Sequence, residues 1–162
     1  MSARDTDNLI FTARPLRLGE HTLVFPLVSF RYPHLSLDYW EEFVTGMARV
    51  HGGDDHLMAI VDSRGHFHAV FAYWVEPSLN GVGRLRIVHI ASASLVGDAT
   101  NRAFHAAIDK IARENGCTEV VIEVEDRVAG LRGCDERSAL ERAGFTQTPM
   151  AYMRSASMAP TP

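Results

Sequence analysis

The sequence predicts an α/β protein built on a mixed sheet, antiparallel in its first half and carrying one parallel pair of strands around a long helix. Three observations point there. The chain has 162 residues, 46% of them hydrophobic, which is the size of one domain able to bury a core. HLMAIVDSRGHFHAVFAYWVEP sets two apolar runs on either side of Asp62-Ser63-Arg64-Gly65, a hairpin pattern. Ile87 to Val124, IVHIASASLVGDATNRAFHAAIDKIARENGCTEVVIEV, reads as strand, short turn, amphipathic helix and strand, a connection that places its two strands parallel.

Each element has its own signal. Leu9–Leu16 alternates as a first strand, with Pro15 marking its end or an edge position. After a turn at Gly19, Glu20–Phe30 is a helix made short or bent by Pro26. Ser36 caps a second helix running to Val50, in which Leu37, Trp40, Phe43, Val44 and Met47 form an apolar stripe. The hairpin follows as strands over His56–Val61 and His66–Val75, then a turn at SLNGVG and a strand at RLRIVHIA. The helix from about Ala99 to Asn115 presents Ala103, Ala106, Ala107, Ile108, Ile111 and Ala112 and stops at Gly116. TEVVIEVE is a strand whose successive apolar residues imply burial on both faces. A loop with Gly130 and Gly133, a short helix DERSALERA stopped by Gly144, and a last strand FTQTPMAYMR with a break at Pro149 complete the order β, α, α, β, β, β, α, β, α, β. Residues 1–154 are expected to form one domain, and 155–162, rich in small residues and prolines, a flexible tail.

Composition excludes several classes of partner. The formal charge is -4 and no two Lys or Arg residues are adjacent, so a polyanion such as nucleic acid finds no footprint. No segment approaches the roughly 20 apolar residues that span a bilayer, and the start MSARDTDN has no apolar signal core. Cys117 and Cys134 lack metal-like spacing and read as free thiols of a reducing compartment, hence an expected cytoplasmic location. His66 and His68 share a strand face as metal ligands do, but no third ligand is evident, and no metal is expected.

The chemistry concentrates after Ile87. The strand ends in small Ala91, Ser92 and Ala93, the turn carries Gly97, and the helix opens with backbone N–H groups that no upstream carbonyl satisfies, which suits an anion. Asp98 reads as the N-cap of that helix, compatible with an anion on the amides of Ala99, Thr100, Asn101 and Arg102, with Arg102 adding charge.

The stretch IARENGCTEVVIEV, the terminal ALERAGF leading into an apolar strand, and the order of elements together resemble the GNAT superfamily of acetyl-CoA-dependent N-acetyltransferases over Leu9 to Arg154. The resemblance implies acetyl-CoA as co-substrate, its pyrophosphate held by a turn of form Gln/Arg-x-x-Gly-x-Gly/Ala. Two registers fit: Val96, Ala99 and Asn101 counting back from Gly116, or Ser94, Gly97 and Ala99 by pattern, and neither has the usual Gln or Arg. By the same resemblance His89, Ile90 and Ala91 line the gap that receives the pantetheine arm, and Ser92 leaves it room. Direct acetyl transfer to a primary amine of a small molecule or peptide needs a base, for which His89, Glu76, and Glu123 or Glu125 are candidates. Leu140 stands where many such enzymes place an acidic tyrosine, leaving Tyr152 and Ser138 as nearby hydroxyls. Phe30, Tyr32, His34, Tyr39 and Trp40 fall where the superfamily builds its acceptor pocket, and a homodimer is common in it. The missing motif residues motivate the alternative of a non-catalytic acyl-CoA-binding or interaction module on the same fold.

Overall fold

The computed structural model describes residues 10–17, 19–51, 56–77, 79, 81–92, 98–123, 140–147 and 152–155. Its elements are β1 (Phe11–Pro15), α1 (His21–Arg31), α2 (Leu37–His51), β2 (Leu57–Asp62), β3 (Phe67–Glu76), β4 (Gly83–Ser92), α3 (Asp98–Glu114), β5 (Cys117–Ile122), β6 (Thr146–Gln147) and β7 (Tyr152–Ser155). The strands lie in the order β1-β2-β3-β4-β5-β7-β6. β1 and β2 are antiparallel while β4 and β5 are parallel, so the expected mixed sheet is present. By its contacts the chain divides into two compact units, Met1–Val70 with Ala91–Phe104, and Phe71–Ile90 with His105–Pro162.

In the first unit, every residue of β2 is buried, as in a strand covered on both faces, whereas edge strand β1 alternates incompletely and ends on Pro15. Leu16, Val24, Val28 and Trp40 join β2 in the core. Trp40 Nε1 donates to the His21 carbonyl at 2.8 Å, tying α2 to the start of α1. The Ser36 hydroxyl accepts from the Tyr39 amide at 3.2 Å, the expected cap of α2. Pro26 sits inside α1, yet the helix continues to Arg31. The entry of α1 is fixed by Glu20, whose carboxylate accepts both guanidinium ends of Arg14, at 2.7 and 2.8 Å, and the Arg17 amide at 2.8 Å. These bonds, led by those from Arg14, hold the Glu20 carboxyl down at about 2.

In the second unit, β4 buries Leu85 and Ile87 and leaves Arg84 and Arg86, which alternate with them along the strand, only half-buried, and β5 buries Val120, Val121 and Ile122 in succession. Gly83 lets β4 start against β5, because a Cβ there would stand 3.2 Å from Cys117 Sγ and 3.4 Å from Val75 Cγ1. Cys117 is a buried free thiol whose pKa burial raises, while Cys134 lies outside the described residues. The part of α3 in this unit buries Ala107, Ile108, Ile111 and Ala112, and Phe104, in the part that belongs to the first unit, is buried too, so the expected small-residue face is shifted: Ala106 is exposed and Phe104 takes part. Gly116, at φ 64, ends the helix. The single last strand expected over FTQTPMAYMR is instead a pair, β6 and β7, antiparallel to each other, with β7 also antiparallel to β5. Pro149, where a break was expected because a proline has no amide hydrogen with which to continue a ladder, lies outside the described residues.

Candidate functional site

The end of β4 and the first turn of α3 belong to one unit. Ala91 is buried and Ser92 half-buried, and the helix resumes the chain at Asp98. Thr100 is buried, Ala99 and Asn101 are half-buried, and Arg102 is exposed. The amides of Asp98, Ala99 and Thr100 open the helix, and their combined dipole favours an anion. Val96 and Gly97 lie outside the described residues, as do the side chains of Asp98, His89, Ile90 and Tyr152. His89 and Ile90 nevertheless have a fixed place in β4, and Tyr152 is paired through β7 with Ile122 and Gln147.

A second group gathers around Arg86. Arg86 Nη1 donates to Glu123 Oε1, Nη2 donates to Glu76 Oε2 at 3.2 Å, and Nε lies 2.7 Å from Glu76 Oε1 as an ion pair without hydrogen-bond alignment. Burial pushes the Glu76 carboxyl up, but hydrogen bonds from Arg86 and Trp74 outweigh it and leave it below its ordinary value. A carboxylate held ionised in this way is a poor proton acceptor near neutral pH. Glu76 and Glu123, two candidates for the base, are thus brought together on one guanidinium. Glu125 and Ser138 lie outside the described residues, and Leu140 is buried.

A third group escapes the sequence reading. Asp62, at the end of β2, buries its carboxylate until the side chain is 2% exposed. Oδ1 accepts the amides of Arg64 at 2.8 Å and His66 at 3.0 Å, and Oδ2 accepts His66 Nδ1 at 3.1 Å and His68 Nε2 at 2.9 Å. Burial raises its pKa, yet the two imidazoles and two amides prevail and hold it well below the usual carboxylate range. The shared face of His66 and His68 therefore serves a carboxylate. The signal was Asp62 at a turn, two and four residues before the amides it captures.

The aromatic segment divides. Trp40 is core, whereas Phe30 and Tyr39 are among the large exposed apolar side chains. Phe30 joins Leu23, Pro26, Leu27, Gly65, His66 and Phe67 around a groove of about 650 Å³.

Among solved structures, the chain is similar to spermidine N-acetyltransferase from Vibrio cholerae in complex with CoA and spermine, at TM-score 0.64 and 14% identity, covering 91% of this chain and 96% of that one. It is similar to the NatC complex bound to Gag peptide and CoA, at TM-score 0.64 and 15% identity, covering 91% of this chain and 99% of that one. An acetyltransferase of the GNAT family from Listeria monocytogenes matches at TM-score 0.54 and 10% identity, covering 90% and 94%. No family model and no curated protein matches. The chain therefore has the GNAT acetyltransferase fold. No helix among the described residues is long and apolar enough to cross a membrane.

Proposed function

We propose that the protein is an acetyl-CoA-dependent N-acetyltransferase that passes the acetyl group directly to a primary amine of a small molecule or peptide. The observation that carries this reading is that the small-residue end of β4, a strand parallel to β5, is followed in the chain by the N-terminus of α3, whose opening amides suit an anion, in a fold whose solved examples include CoA complexes. Of the two registers of the pyrophosphate turn, we take Ser94, Gly97 and Ala99, which keeps the Gly and the Gly/Ala of the pattern beside the opening of α3 at Asp98. Gly97, Asp98, Ala99 and Thr100 then meet the pyrophosphate, Arg102 adds charge, and Ile90, Ala91 and Ser92 line the arm. Acetyl-CoA supplies the activated carbonyl, and the chain supplies positioning and a proton acceptor. With Glu76 and Glu123 engaged by Arg86, we assign that role to His89 on β4.

The test is calorimetry with acetyl-CoA followed by thiol release over a panel of amines. Binding and amine-stimulated release are expected, whereas absence of binding at millimolar acetyl-CoA overturns the reading. Binding without amine-stimulated release points to a non-catalytic acyl-CoA module. Ala99→Glu places a negative charge at the pyrophosphate and is expected to weaken binding at least about tenfold. Unchanged affinity in a folded variant removes this placement of the turn.

A further inference from the structure

The groove between α1 and the β2–β3 turn joins an apolar wall to a polar device. Leu23, Pro26, Leu27 and Phe30 come from α1, and Gly65, His66 and Phe67 from the turn. Its volume, about 650 Å³, lies within the roughly 300–1,000 Å³ of small-molecule pockets. Leu23 and Phe30 are 64% and 57% exposed, apolar surface that a ligand would cover.

The chemistry of the groove follows from Asp62. An ionised carboxylate only accepts hydrogen bonds, so each imidazole facing Oδ2 must present an N–H to it. In the neutral ring, His66 therefore carries its hydrogen on Nδ1 and keeps a lone pair on Nε2. Its side chain is 70% exposed, which leaves Nε2 to whatever enters the groove. Among the described residues, the hydrogen-bond donors on that carboxylate are the two rings and the amides of Arg64 and His66, with no guanidinium among them. Arg64 gives Asp62 its backbone amide. Arg14, whose guanidinium lies 5.8 Å from the centre of the Phe67 ring, is taken by Glu20. His68 engages the same Oδ2 and packs edge-on to Phe11, and the residues of α1 lining the groove are apolar. With both rings neutral, an acceptor nitrogen backed by a negative charge adjoins an apolar wall, and this combination selects a cation with an apolar body.

We propose that this groove binds a small primary amine carrying an aryl or alkyl group, its ammonium donating to His66 Nε2 and its apolar part lying on Leu23, Leu27 and Phe30. Calling that amine the acetyl acceptor rests on the acetyltransferase reading; the binding site itself does not. His66 is a binding residue here, and no proton transfer is assigned to it.

The probe is 2-phenylethylamine, titrated by calorimetry and by NMR of the histidine rings at pH 8, without acetyl-CoA. Saturable binding that shifts the His66 ring is expected, with 3-phenylpropionate at least about tenfold weaker. His66→Ala is expected to weaken amine binding about tenfold or more. Because His66 is exposed the variant should fold, and His66→Gln, which keeps an acceptor oxygen, should recover part of the loss. The proposal is overturned by no amine binding, by equal or tighter binding of the carboxylate, or by an unchanged affinity in His66→Ala. Acetyl-CoA titrated into the same sample separates the two readings: amine binding without acetyl-CoA binding leaves the groove standing and removes the transferase.

Discussion

The charge state of Glu20 matters to the first unit, since it holds Arg14 and the Arg17 amide at the entry to α1. Its folded pKa, about 2, lies below the roughly 4.3 of an unfolded glutamate. A depressed carboxylate contributes stability above the unfolded value and loses it as pH falls through the folded one. Stability should therefore decline between about pH 5 and pH 2, and Glu20→Gln should flatten that part of the profile while costing about 1–2 kcal/mol at pH 7. Denaturant unfolding of both proteins at pH 3, 5 and 7 checks this, and equal slopes against pH would sink it. Some of this scale was legible in sequence. Ser36 was visible as a cap because capping is local. The seizure of Glu76 and Glu123 by Arg86 was not, because it depends on β3, β4 and β5 lying side by side in a particular register.

At the scale of elements, α3 shows what ends a helix. Gly116 adopts φ 64, and a Cβ there would meet nothing within 4 Å, so the cost of a side chain is one of backbone conformation alone. Gly116→Ala should destabilise by about 1–2 kcal/mol, and Gly116→Asn, which tolerates the left-handed region, by less. Thermal unfolding of the two variants tests the order, and equal losses would indicate a packing effect in its place. Element types and their succession from β1 to β5 could be read from periodicity and glycine stops because those signals are repeated along each segment, while most of the short helix expected at DERSALERA lies outside the described residues. The stripe of α3 was misjudged by its alanines, since small residues sit on either face of a helix without penalty, whereas Phe104 needed to be buried.

Across the whole molecule, the mixed sheet was deducible because a helical connection makes β4 and β5 parallel. The position of β7 was not, because no local signal says that a late strand will lie against β5 and carry β6 beyond it. Val121 of β5 is the partner of Met153 of β7. Met153→Pro removes a ladder donor there and should cost about 3 kcal/mol or more, with light scattering rising on warming as the flank of β5 becomes available to other chains. A variant as stable and clear as the parent would show that β7 is dispensable.

The placement of β7 also has a bearing on how the protein is made. Ile122 and its partner Tyr152 stand 30 residues apart, so a ribosome finishes β5 well before it supplies the strand that shields it. During that interval the nascent chain displays Val120, Val121 and Ile122 on an open hydrogen-bonding border, the kind of surface that recruits chaperones or neighbouring nascent chains. Slow translation between the two segments should therefore lower the yield of native protein even though the finished molecule is unaltered.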